Sequence, residues 1–160
     1  MPDPTIQFLQ KETYIRTIEN AEGTRLFNSI FVKKTGSDTV IDVCGDGEKS
    51  CAYFVSSVLT LVGIFDKPST TVATVQNRMS TGGFMEISTN EIEAGDIVIW
   101  EKQLLNNEEN EHIGFALNKE EAMSTYFRER KVTRHPLTFG ATPERPERKI
   151  DRAFRPPFLS

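Results

Sequence analysis

A cysteine at the start of a strongly apolar helix, in a chain with only two histidines to serve it, is the chemistry this sequence offers. The segment is Ser50-Cys51-Ala52-Tyr53-Phe54-Val55-Ser56-Ser57-Val58-Leu59. The first N–H groups of a helix have no partner within it. Together with the helix dipole they favour thiolate over thiol, so this position is expected to lower a cysteine from about 8.5 toward the range where it attacks carbonyls near neutral pH. Attack on an acyl carbon also needs a base within hydrogen-bond reach and a polar group that orients the base. His112 is the stronger candidate base. It opens His112-Ile113-Gly114-Phe115-Ala116-Leu117 directly after the polar stretch Asn106 to Glu111, at a strand end where a side chain can face a cleft. The orienting group is His135 or Ser124, the latter twelve residues beyond His112 on the next strand of an expected hairpin. The acidic run Glu108-Glu109-Asn110-Glu111 reads as solvated surface, with a pull on the adjacent His112 that would raise its pKa.

Several elements must hold these residues. Cys51, Phe54, Val55, Val58, Leu59 and Val62 recur at the spacing of one helical face, with Ser50 as N-cap and Gly63 at C′. That face places the base of the thiol at the edge of the core. Tyr14, Ile15, Ile18 and Ala21 predict a surface helix from Lys11 to Ala21, and Leu26 to Val32 reads either as a strand or as the tail of a helix. Pro68-Ser69-Thr70 is expected to open a shorter helix through Val72, Val75 and Met79, closed by Gly82-Gly83. After it the pattern turns to β: Phe84 to Ile87, Asp96 to Trp100, His112 to Leu117, Ala122 to Phe127, Lys131 to Arg134 and Lys149 to Phe154 are rich in β-branched and aromatic residues. Ala141 to Arg148, polar and containing prolines, reads as an exposed loop. Asp96 is expected to fix a strand-entry turn, Asp42 and Asp46 to shape the loop before the nucleophile, and Trp100 and Phe115 to lie in the core.

Composition narrows the function. A chain of 160 residues, 38% hydrophobic and 26% charged, suits one domain. The net charge of −4 comes from interspersed acids and bases, so no basic field would hold a phosphate backbone or an anionic membrane. No stretch approaches the ~20 apolar residues of a membrane helix, and MPDPTIQFLQKET lacks the basic and apolar regions of a secretory signal, so the chain is expected to be unexported and not inserted in a membrane. Cys44 and Cys51 lack the number and spacing of a structural zinc site, and no metal or cofactor is expected. A Cys44–Cys51 disulfide is the alternative use of the two thiols, at the expense of the nucleophile.

From about residue 40 to 155 the chain resembles the NlpC-like bacterial cell-wall cysteine peptidases, a compact branch of the papain-like fold. The resemblance rests on Ser50-Cys51-Ala52-Tyr53-Phe54-Val55 as nucleophile helix, Ala94-Gly95-Asp96-Ile97-Val98-Ile99-Trp100 as a G-D strand, and His112-Ile113-Gly114-Phe115 as base strand, in that order. It implies an α+β fold with N-terminal helices packed on a mainly antiparallel sheet. Residues 1–39 would be a helical extension packed on a 40–160 peptidase core, the whole forming a single domain. It implies Cys51 as nucleophile and His112 as base. The family's usual third residue, a histidine on the following strand, aligns with Ser124, whereas Arg134-His135-Pro136-Leu137-Thr138-Phe139-Gly140 is similar to an H-x-W-T-F-G element of some members and favours His135. Ser50-Cys51-Ala52-Tyr53 departs from the common D-C-S-G, which suggests a divergent subgroup, and the family's upstream oxyanion tyrosine has no obvious equivalent, leaving the Cys51 N–H as a donor.

The expected function is therefore hydrolysis of an amide in peptidoglycan stem peptides or cross-bridges, through a thioacyl intermediate on Cys51. The alternatives are an acyltransferase or non-cell-wall amidase using the same pair, and a binding module that has kept the fold and lost the chemistry. The partner implied is a peptidoglycan peptide, and since such a substrate lies outside the cytoplasm, a separate delivery route is implied with it.

Overall fold

The computed structural model describes residues 3, 5–105, 107–142 and 145–159. In it the chain is an α+β protein built on a six-stranded sheet in the order β3-β10-β4-β5-β6-β7, with every pairing antiparallel. The strands are β3 (Met85–Ile87), β4 (Ile97–Leu105), β5 (Glu108–Ala116), β6 (Glu121–Tyr126), β7 (Lys131–Pro136) and β10 (Ile150–Arg155). Two small hairpins stand beside it: β1 (Phe31–Lys33) with β2 (Val40–Asp42), and β8 (Phe139–Thr142) with β9 (Arg145–Glu147).

Strand alternation divides the core in two. On one face Ile97, Ile99, Ile113, Phe115, Met123 and Val132 meet the apolar sides of helices α1 (Gln10–Asn20), α2 (Cys51–Leu61) and α3 (Val72–Thr81). On the other, Val98, Trp100, Ala116, Ala122, Tyr126 and Ala153 pack with Phe139. The α1 side chains Tyr14 and Ile18 are fully part of the first cluster, and the Tyr14 hydroxyl donates to the Gly95 carbonyl at 2.7 Å.

Helix α2 begins at Cys51 and ends at Leu61 with Val62 as C-cap, so Gly63, at φ +79°, takes the C′ place its sequence predicts. Helix α3 starts later than Pro68-Ser69-Thr70 suggested. Its cap is Thr71, whose hydroxyl accepts from the Thr74 N–H, and Val72 is the first helical residue. Two loop expectations are corrected. Strand β5 starts at Glu108, within the polar stretch before His112, because β4 and β5 stay paired past the core from Gln103↔Asn110 to Leu105↔Glu108; Asn106 lies outside the described residues. The segment read as an exposed loop forms most of the β8–β9 hairpin, and Arg148, at its end, is half-buried. Pro143 and Glu144 of that segment lie outside the described residues.

Asp96 ties the sheet together. Fully buried, it accepts from the Glu93 N–H at 2.8 Å, the turn-fixing bond expected of it, and takes both Nε and Nη2 of Arg155 at 3.0 and 2.8 Å. The loop before α2 is knotted by Asp42, whose carboxylate accepts from the Ser29 hydroxyl and from the N–H groups of Ile30, Cys44 and Asp46.

Gly114 shows how closely the second face is packed. A Cβ there would stand 2.7 Å from both the Met123 carbonyl and the Ser124 Cβ, and 3.1 Å from the Trp100 ring. Gly114→Ala is therefore expected to push β6 away from β5 and destabilise the protein by about 1–3 kcal/mol, the usual range for overpacking a filled core. Denaturant titration reads this as a lower midpoint, and an unchanged midpoint would refute the packing argument.

Candidate active site

Cys51 stands on the first turn of α2, half-buried against the core. Ser50 precedes it as the N-cap residue but does not cap with its side chain. Its hydroxyl points back to the Gly47 carbonyl at 3.4 Å. The first amides of the helix are thus left open, and those of Cys51 and Ala52 act on the sulfur.

A third amide reaches it from the sheet. The β5–β6 ladder holds only the pairs Phe115↔Met123 and Ala116↔Ala122. Ile113, two residues before Phe115, has no partner on β6 among the described residues, and its N–H also favours the Cys51 thiolate. The gap between β5 and β6 is where the helix terminus meets the sheet.

His112 lies one residue before Ile113, paired with Trp100 across β4. Its Nε2 is 2.9 Å from the Ser124 hydroxyl, and that hydroxyl is 2.7 Å from Nε2 of His135. Nδ1 of His135 is in turn 2.8 Å from the Pro136 carbonyl. The two candidates for the orienting residue are therefore both in place, in series: Ser124 touches His112, and His135 acts through Ser124.

The direction of these bonds follows from their chemistry. A carbonyl only accepts, so Nδ1 of His135 carries a proton, and the tautomer assigned on that basis, with the ring uncharged, accepts at Nε2. The Ser124 hydroxyl donates to it and accepts from the Nε2–H of His112. This assignment leaves Nδ1 of His112 with a free lone pair, the form a general base requires. Aromatic rings enclose the chain: Phe139 stacks on His135 with centroids 4.0 Å apart and planes 13° apart, and Trp100 lies 5.2 Å from His112 and 5.6 Å from His135. Trp100 is itself fixed by its Nε1–H, which donates to the Leu137 carbonyl at 2.7 Å. Phe139 holds its place at φ +60°, a left-handed conformation uncommon for a bulky residue.

Electrostatics correct two expectations. Burial raises the Cys51 thiol above its ordinary value, against the opposing pull of the Ile113 and Ala52 amides, Arg148 and its own N–H. The helix terminus alone would predict a thiolate, but desolvation outweighs it. Burial also holds His112 well below the ordinary 6.5, with Arg148 and His135 adding to the shift. The neighbouring acidic run does not raise it, because glutamates adjacent in sequence do not offset the burial of the ring. The resting pair is thus neutral thiol and neutral imidazole. Cys44 and Cys51 are both free thiols, so the disulfide alternative is not realised, and burial pushes Cys44 up to about 11, with Asp42 and Cys51 adding.

The His112 shift has a consequence for stability. The unfolded chain takes up a proton near pH 6.5 that the folded chain refuses, so this contribution is fully present above that pH and is lost as pH falls below it. Melting temperature is expected to fall between about pH 7 and 5 more steeply in the wild type than in His112→Gln. Parallel curves would show that His112 titrates normally.

A cavity of about 790 Å³ opens on this constellation, bordered by Cys51, His112, Glu111, Tyr126, Phe139 and Arg148. It is large enough for a peptide segment. Arg148 and Phe139 escaped prediction as site residues. The turn-like composition of their segment hid the former, and aromatic content alone did not single out the latter.

The chain matches no family model and no curated protein sequence.

Proposed function

We propose that this protein is a cysteine amidase of the papain-like NlpC type, cleaving an amide in peptidoglycan stem peptides or cross-bridges. The observation that carries this reading is the chain from Pro136 through His135 and Ser124 to His112, beside a cavity that Cys51 and His112 both line; in the assigned tautomers it leaves Nδ1 of His112 as the base. The substrate class comes from the resemblance of the nucleophile helix, G-D strand and H-I-G strand to the cell-wall peptidases.

In the reaction, the Cys51 sulfur attacks the amide carbon while Nδ1 of His112 takes the thiol proton. The open Cys51 and Ala52 amides at the α2 terminus are the available donors to the developing oxyanion. His112 then returns the proton to the departing nitrogen as the C–N bond breaks, leaving a thioester on Cys51. Water attacks this thioester, His112 takes a proton from that water, and the acid product leaves as the thiol is restored. The binding-module alternative drew on an insecure third catalytic residue, His135 or Ser124, and the hydrogen-bonded path through both weakens it.

The test is digestion of purified peptidoglycans of several stem and cross-bridge chemistries, followed by mass spectrometry of released fragments. Fragments with one new amine and one new carboxyl terminus, absent with Cys51→Ala, are expected. No cleavage in any wall chemistry would overturn the substrate assignment, and amine-exchanged products in place of hydrolysed ones would make the protein an acyltransferase.

A further inference from the structure

Resting on that reading, we infer that Arg148 is a carboxylate-binding residue of the site, and that the substrate carries a free carboxylate close to the scissile amide. The guanidinium is half-buried and lines the cavity that holds Cys51 and His112. Its Nε donates to the Glu101 carbonyl at 2.9 Å and its Nη2 to the Asn110 carbonyl at 2.6 Å, so it is braced by both strands of the β4–β5 hairpin. Its own backbone N–H donates to the Thr138 carbonyl at 2.9 Å, fixing the base of the β8–β9 hairpin beside it. The side chain is therefore rigid before any ligand arrives, which lowers the entropy lost on binding.

What it lacks is a counter-ion. The first opposing charge that acts on it is Cys51, which is a charge only when ionised, followed by Glu101 and Glu111 from a distance; no carboxylate lies within ion-pair distance of it among the described residues. The other cations that border the cavity, Lys49, Lys102 and Arg128, are exposed, and Lys49 is paired with Glu108, so Arg148 is the half-buried one among them. A partly desolvated cation without a partner is costly unless an anion completes it. Two of the roughly five guanidinium N–H bonds are used on carbonyls, which leaves Nη1 and the second N–H of Nη2 side by side. That edge matches a planar carboxylate through two parallel bonds, a geometry an ammonium cannot reproduce. Arg148 also acts on both members of the catalytic pair, so an anion seated on it is held next to the thiol.

The experiment compares two alkylating agents of nearly equal size, iodoacetate and iodoacetamide, on Cys51 of the full chain, with peptide mapping to separate Cys51 from Cys44. The readout is the ratio of the two rates within each protein, which a change in stability or in thiol reactivity alone does not move. Wild type is expected to show an iodoacetate-to-iodoacetamide ratio about tenfold higher than Arg148→Gln, with Arg148→Lys between them, and added sodium chloride should lower the ratio more in wild type and Arg148→Lys than in Arg148→Gln. Equal ratios in the three proteins would overturn the inference. This readout needs no amide cleavage, so its failure is distinct from failure of the proposed hydrolysis, which the wall digestion reports. Where cleavage is found, a carboxylate-to-carboxamide change in the cut peptide should raise KM in wild type and leave it unchanged in Arg148→Gln.

Discussion

His112→Ala is expected to slow acylation of Cys51 on the order of 10⁴-fold, the scale of losing a general base from a nucleophile–base pair. The effect should be near that limit because the resting sulfur is a protonated thiol whose burial raises its pKa. A site with a preformed thiolate would keep much of its nucleophilicity without the histidine, whereas this one cannot ionise readily unless a base takes the proton. The pH profile carries the same information. The low pKa of His112 places the acid limb of kcat/KM below the ordinary 6.5, and the elevated thiol pKa keeps the plateau broad on the alkaline side. In His112→Ala the residual rate should have no acid limb of this origin and should climb only as the thiol ionises. Stopped-time assays across pH measure both. A variant within tenfold of wild type at neutral pH would remove His112 from the mechanism.

The second large effect belongs to Ser124. Ser124→Ala is expected to reduce kcat on the order of 10²-fold with little change in KM, because it releases the tautomer and orientation of His112 without touching the cavity wall. It also strands two buried ring nitrogens, those of His112 and His135, each at about 1–3 kcal/mol if no water replaces the hydroxyl. The hydrogen-bonded path from His135 to His112 runs through Ser124, so the double variant Ser124→Ala with His135→Ala should be hardly slower than Ser124→Ala alone. Additive losses in kcat would mean that His135 acts on the reaction by some other route.

Much of this site is legible in the sequence, and the remainder fails for definable reasons. Cys51 is marked by a helical period that begins with it, and His112 by its place at the head of an apolar strand. Ser124 and His135 present themselves as rivals because sequence distance does not reveal register. In the sheet Ser124 faces Thr133 and His135 faces Ala122, so the histidine lies diagonally across from the serine on the same face of β6 and β7, within bonding reach. The protonation states fail for a different reason. A helix terminus and an acidic run are local features, whereas desolvation depends on everything packed around the group, including Trp100 and Phe139 from distant segments. Arg148 is hidden in a stretch whose prolines and charges suggest solvent, and only the hairpin fold of that stretch turns its guanidinium inward.

Acid-quenched mass spectrometry of the protein during turnover of a peptide amide decides whether cleavage passes through an acylated Cys51. A transient adduct of the acyl fragment's mass is expected on the peptide containing Cys51, cleaved by hydroxylamine and absent in Cys51→Ala. Amide cleavage that proceeds at the wild-type rate in Cys51→Ala, with no such adduct in either protein, would contradict it.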